Sequence, residues 1–174
     1  RTSRVDVNRF DPNRSDFFDV LDDPNSKVFI LDLDQLDDVI ASATGRLSKI
    51  LEKVLGADRL GDVRRLVHGA DLDEALATFV RQIGENDILI LQGHGSPKRL
   101  ASRTGKDIGK FLVNAGLKSR RVISLGCRCG AGRFAVDLTK TLKKGNLKGI
   151  KVAASPEAVN ISDASVVSSI RDFS

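Results

Sequence analysis

Apolar residues along this chain follow two rhythms that alternate. Dense short runs mark strands, and stretches with apolar positions every three or four residues mark helices. Val28-Phe29-Ile30-Leu31, closed by Asp32, is a run suited to a buried strand. Leu36, Val39, Ile40, Ala43, Leu47, Ile50, Leu51, Val54 and Leu55 then keep a helical stripe that Gly56 stops. Val63 to His68 reads as a short strand or a turn. Asp71 and Glu74 form a capping-box-like pair ahead of a stripe through Leu72, Leu76, Phe79, Val80 and Ile83. A strand over 87–92 follows. Thr104 and Asp107 repeat the capping signature before Ile108, Phe111, Leu112 and Ala115. A strand over 121–126, a helix from about Gly132 to Lys143 and a strand from Ile150 to Ala154 continue the alternation. Val166, Val167 and Ile170 suggest a terminal helix. Residues 1–27, rich in Arg, Asp, Asn, Ser and Pro, read as an irregular arm, leaving 28–174 as one domain.

Strands alternating with helices predict an α/β protein: a three-layer sandwich with a mostly parallel sheet of about four to six strands and helices on both faces. Ligands of such sheets sit outside the carboxyl ends of the strands. His94, Cys127, Asp32, Asp34 and Ser155 all fall at those ends.

Composition narrows the function classes. The 174 residues, 41% hydrophobic and 29% charged, suit one soluble domain. No apolar stretch approaches the roughly 18 residues needed to cross a bilayer. Met is absent, so the chain is expected to be a piece of a longer protein. Residues 1–84 hold 12 Lys+Arg against 16 Asp+Glu, and residues 85–174 hold 16 against 7, giving −4 and +9. The basic half suits an anionic partner, a small molecule or a lipid headgroup. Nucleic acid is not expected: Trp and Tyr are absent and the eight Phe sit at core spacings, so stacking platforms are missing. Cys127 and Cys129 cannot build a disulfide framework, and their C-x-C spacing does not match zinc or redox C-x-x-C motifs. With two His in the chain no metal site is expected, and free thiols imply a reducing compartment.

The chemistry lies in two strand ends. ILILQGHG presents His94 and RVISLGC presents Cys127, 33 positions later. A thiol becomes a strong nucleophile as a thiolate, and an imidazole is the usual means. Cys127 is then the nucleophile, His94 the proton carrier, and the Gly95 and Cys127 amides the oxyanion donors. The positive end of the helix after Cys127 would lower the thiol pKa further. Asp32 and Asp34 either orient His94 or bind a basic substrate side chain, with helix capping an equal role for Asp34. Ser96, Arg128 and Ser155 complete the substrate-binding candidates. Cys129 is either a resolving thiol or a packed one. His68-Gly69 is a second His-Gly pair, but Arg64 and Arg65 precede it and a capped helix follows it, so it reads as a turn.

Over residues 86–155 the chain resembles the caspase-like cysteine peptidases. Their signature is a hydrophobic block with His-Gly, then a hydrophobic block with a small residue and Cys. It is similar to the self-cleaving cysteine protease domain of multifunctional RTX toxins and large clostridial toxins. The resemblance implies a caspase-like sandwich, a cysteine endopeptidase with His94 and Cys127 as its dyad, and Gly95 with Cys127 as oxyanion hole. It also implies a secreted bacterial toxin or effector acting in host cytosol. The substrate would be polypeptide, including the parent chain, and inositol hexakisphosphate would be an activator. Two other readings stay open. Leu125 to Ala135 also looks like the glycine-rich motif of S-adenosylmethionine methyltransferases, and the same fold could serve as a catalytically silent interaction module with an anion-binding face.

Overall fold

The computed structural model describes residues 4–7, 24–145, 147, 149–155, 159–161 and 166–172. Five parallel strands form the centre: β2 (Val28–Asp32), β3 (Leu60–Arg65), β4 (Ile88–Gln92), β7 (Arg121–Ser124) and β8 (Lys151–Ala154), in the order β3-β2-β4-β7-β8. Every residue of β2 and β4 is buried, as expected for parallel strands covered on both faces. The chain is an α/β protein with a mostly parallel sheet in a three-layer sandwich.

Alternate strand residues feed two cores. Phe29, Leu31, Leu89, Leu91, Val122 and Val152 pack against α2 (Glu74–Arg81), α3 (Gly105–Asn114) and α4 (Arg133–Lys144). Val28, Ile30, Ile88, Ile90, Ile123 and Ala153 pack against Ala43, Leu47, Ile50 and Leu51 of α1 (Asp38–Leu55). Burying one Leu or Ile stabilises by roughly 1.5–3 kcal/mol, whereas a cap contributes about 1 kcal/mol. The apolar faces therefore fix where each helix lies, and the caps choose where it begins.

The caps differ from the sequence reading by a few residues. Asp37 caps α1 through Ile40 N–H at 3.0 Å, and Asp73, not Asp71, caps α2 through Leu76 N–H at 3.1 Å. Leu36 and Val39 fit the helical stripe yet are 73% and 66% exposed, because they sit before or within the first turn, past the sheet's edge. Thr104 caps α3 through Asp107 N–H, as its spacing predicts.

Val63 to Arg65 belong to strand β3, with His68 in the turn beyond it, so both the strand and the turn read over 63–68 are present, while other segments depart from the sequence reading. Residues 166–172 form strand β10 rather than a terminal helix, antiparallel to β8. The i, i+1, i+4 spacing of Val166, Val167 and Ile170 fits either structure, and the β-branched residues with an open edge on β8 favour the strand. Within the segment read as an irregular arm, β1 (Arg4–Val7) pairs with β10, and β9 (Asn160–Ile161) pairs with β10 as well. A two-residue-turn hairpin of β5 (Arg99–Leu100) and β6 (Arg103–Thr104) stands between His94 and α3.

Gly105 shows how closely α3 and α4 approach. A Cβ there would collide with the Phe134 carbonyl and lie 2.8 Å from Leu138 N. Gly105→Ala should cost about 1–3 kcal/mol, read as a lower urea midpoint. Gly45 in α1 has nothing within 4 Å of its Cβ position, so Gly45→Ala should raise the midpoint, by about 0.5–1 kcal/mol. Equal shifts for the two variants would refute this packing account.

Candidate active site

Strand register builds the site. Every β4–β7 pair, from Ile88↔Arg121 to Leu91↔Ser124, is offset by 33 residues, and Leu125 N–H to Leu91 O at 2.9 Å carries the ladder past the strands. That offset is the one separating His94 from Cys127. The β2–β4 pairs are offset by 60, from Val28↔Ile88 to Asp32↔Gln92, and the same offset brings Asp34 beside His94. The His94 amide donates to Asp34 Oδ2 at 2.8 Å. The chain leaves β2 for β3 on one side and returns to β4 on the other. Asp34 and His94 thus flank the topological switch point, where such sheets leave a crevice.

The His94 ring is 59% exposed and its Nε2 lies 2.8 Å from Asp37 Oδ2. A carboxylate only accepts, so Nε2 carries a proton, which in the neutral ring leaves Nδ1 with the lone pair. Asp37 also caps α1, and the Ile40 amide, followed by His94, holds its carboxyl below the usual carboxylate range. The group is anionic above that range and loses its charge only as pH falls through the lowered value. It stays charged at neutral pH.

Cys127 is half-buried. The Val159 amide donates to its Sγ at 3.3 Å, and the Val159 carbonyl lies 3.8 Å away. Two amides at the start of α4, the end expected to face the thiol, are engaged elsewhere: Phe134 N–H donates to Pro97 O at 2.9 Å and Ala135 N–H to Cys129 O at 3.3 Å. Gly95 lies directly on the thiol's backbone, since a Cβ there would stand 2.6 Å from Cys127 N and 2.6 Å from Gly126 C. Among the described residues neither the Gly95 nor the Cys127 amide has a hydrogen-bond acceptor.

The other sequence candidates divide. Asp32 is fully buried and spent internally, accepting from Asp34 N–H at 2.8 Å and Thr44 Oγ1 at 2.8 Å, with Arg65 Nη1 at 3.5 Å. It neither orients His94 nor faces a substrate. Asp34 is buried too, but its carboxylate holds the His94 amide and the His68 ring; α1 is capped by Asp37 instead. Ser96 Oγ accepts from Lys98 and Arg99 amides, closing a turn. Arg128 is exposed with φ 59° and heads the turn whose Ala131 N–H meets its carbonyl. Ser155 is buried, and its carbonyl takes Gly130 N–H at 2.8 Å. Gly126, Gly130 and Gly132 are occupied by contacts with Leu100, Ala154 and Pro97, so packing accounts for the glycine-rich loop.

Sequence reasoning missed Asp37, Val159, Ser102 and the role of His68. Asp37 had one usable signal, an acid three residues before Ile40 at a helix start. Val159 acts through its backbone and has none. Among the described residues no group of three or more His, Cys, Asp or Glu is placed to hold a metal ion, and no helix is long and apolar enough to cross a membrane. No protein-family model, curated protein or solved structure matches the chain.

The two thiols differ in environment. Burial pushes the Cys129 thiol up to about 11, and its Sγ lies against Arg99 O at 3.7 Å. Iodoacetamide at pH 7.5 should modify Cys127 in the folded protein and reach Cys129 only near pH 11 or after unfolding. Peptide mapping at both pH values checks this, and modification of Cys129 first would refute it.

Proposed function

We propose that the chain is a cysteine endopeptidase of caspase-like type, with Cys127 as nucleophile and His94 as general base and acid. One observation carries the reading: the 33-residue register offset of β4 and β7 is also the His94–Cys127 separation. The pairing of His94 Nε2 with Asp37 supports it further, because it leaves Nδ1 as the basic nitrogen.

In this mechanism Nδ1 of His94 takes the thiol proton as Sγ bonds to the scissile carbonyl carbon. The carbonyl oxygen becomes an oxyanion, which the Gly95 and Cys127 amides receive. One such donor is typically worth about 10²–10³ in rate. The tetrahedral species collapses to a thioester as the C–N bond breaks, and His94 returns its proton to the leaving amine. Water, deprotonated by His94, then attacks the thioester, releasing the acid and the free thiol. The exposed Leu36, Val39 and Val67 lie on segments at this end of the sheet.

A peptidyl acyloxymethyl ketone and a fluorogenic peptide set test the reading. Cys127→Ala should abolish labelling and cleavage, and His94→Ala should reduce turnover by about 10²–10⁴. Retention of wild-type cleavage by Cys127→Ala would refute the proposal.

Asp37→Asn is the finer test. Asn caps helices as well as Asp, so the melting temperature should hold. Its single oxygen goes to the Ile40 amide, and its NH₂ then meets Nε2. That forces the proton onto Nδ1 and removes the base, so turnover should fall by about 10²–10⁴ with stability kept. Undiminished activity would refute the assignment of Nδ1.

A further inference from the structure

Resting on that reading of the dyad, we infer that His68 is a positioning residue for it, acting through Asp34 and Ser102 on the segment that carries His94 and Gly95. The Asp34 carboxylate is shared. One oxygen pairs with His68 Nδ1, and the other accepts the His94 amide at 2.8 Å. The second ring nitrogen of His68, Nε2, lies 3.1 Å from Ser102 Oγ. Ser102–His68–Asp34–His94 is thus one continuous relay. It holds residues 94 and 102, the two ends of the segment that contains Gly95 and β5.

Independent features show that this segment needs holding. Ala101 and Ser102 form the two-residue turn of the β5–β6 hairpin with φ of 49° and 65°. Such a turn prefers glycine or asparagine, and Ala and Ser adopt it at a cost. Ala101 N–H donates to His94 O at 2.8 Å, Arg99 Nη1 to Ser102 O at 3.0 Å, and the Arg103 guanidinium to Ala70 O. The hairpin is therefore strapped to the turn that bears His68 as well as to His94 itself.

Asp34 is 2% exposed, and a buried carboxylate requires strong donors. His68 is one of them, which fixes the carboxylate plane and hence the direction of the second oxygen. Without His68 the carboxylate is free to turn toward another donor, and the His94 amide loses its anchor. Displacement of about 1 Å in a catalytic group costs on the order of 10² in rate. The sequence reading of His68 as a turn residue holds, and the relay adds a positioning role to it.

The atom order Ser Oγ–His Nε2/Nδ1–Asp is also that of a serine hydrolase. The second oxygen of Asp34, committed to the His94 amide, favours positioning, and the test separates the two.

The experiment measures inactivation of Cys127 by a peptidyl acyloxymethyl ketone, as kinact and KI, and its alkylation by iodoacetamide against pH. The proteins are wild type, His68→Leu, His68→Asn, Ser102→Ala and His94→Ala. His68→Leu should lower kinact at least tenfold with KI nearly unchanged. His68→Asn, whose amide can donate to Asp34 from the Nδ1 position, should recover most of the loss. Ser102→Ala should fall between, and it tests the relay even if His68→Leu unfolds. Three results would overturn the inference: wild-type kinact in His68→Leu with only a lower melting temperature, no rescue by Asn, or His68-dependent labelling of Ser102 by a fluorophosphonate. A wild-type Cys127 that reacts no faster than in His94→Ala would overturn the dyad reading and this inference with it. A His94-dependent thiol indifferent to His68 overturns the inference alone.

Discussion

Parallel hydrogen-bonded register is the constraint on which the rest depends. Three neighbouring strands, β2, β4 and β7, are locked side by side by ladders whose offsets do not change along their length. A slip of one residue would turn each strand's alternating side chains to the wrong core, exchanging the Ile88/Ile90 face with the Leu89/Leu91 face. The cores therefore enforce the register to several kcal/mol at least, since each misplaced Leu or Ile forfeits roughly 1.5–3 kcal/mol. What emerges at the carboxyl edge inherits that precision. Asp34, His94 and Cys127 stand in one row because apolar residues 4 to 6 positions earlier are each buried on the correct face.

The polar groups around His94 gather at this edge, and two carboxylates two residues apart show how their contacts are divided. Asp32, still within β2, faces the α1 core and is quenched by Thr44, Arg65 and the Asp34 amide. Asp34, past the strand, reaches across to both histidines. The first stiffens the exit of β2, and the second spends that stiffness on the neighbouring loop. Asp37 then joins the same loop to the start of α1. Backbone, cap and side chain thus meet at His94 from three elements.

How much of this could be read from the residues follows from where the determinants lie. Strands β4 and β7 were legible because their runs are mostly apolar and lead to Gly93 and Gly126. The alternation of strand and helix gave the fold class, and the two strand ends named His94, Gly95 and Cys127. The role of Asp37 was hidden because one acid among Asp34, Asp37 and Asp38 is singled out only by the helix start. Val159 contributes backbone groups, to which sequence is blind. His68 was discounted on its neighbours in the chain, whereas its partners Asp34 and Ser102 are each 34 positions distant. Strand β10 was missed because five residues of ambiguous spacing are decided by an unpaired edge on β8.

The environments of the two sulfurs have a consequence for oxidation. Cys127 and Cys129 are two residues apart, yet one meets Val159 and the other is sealed beneath Arg99. With its thiol raised to about 11, Cys129 is ionised at pH 7 to only about one part in ten thousand. Peroxide that converts Cys127 to a sulfenic acid therefore meets no resolving thiolate from Cys129. Recovery depends on another thiol, such as glutathione, and without one the sulfur proceeds to the sulfinic acid.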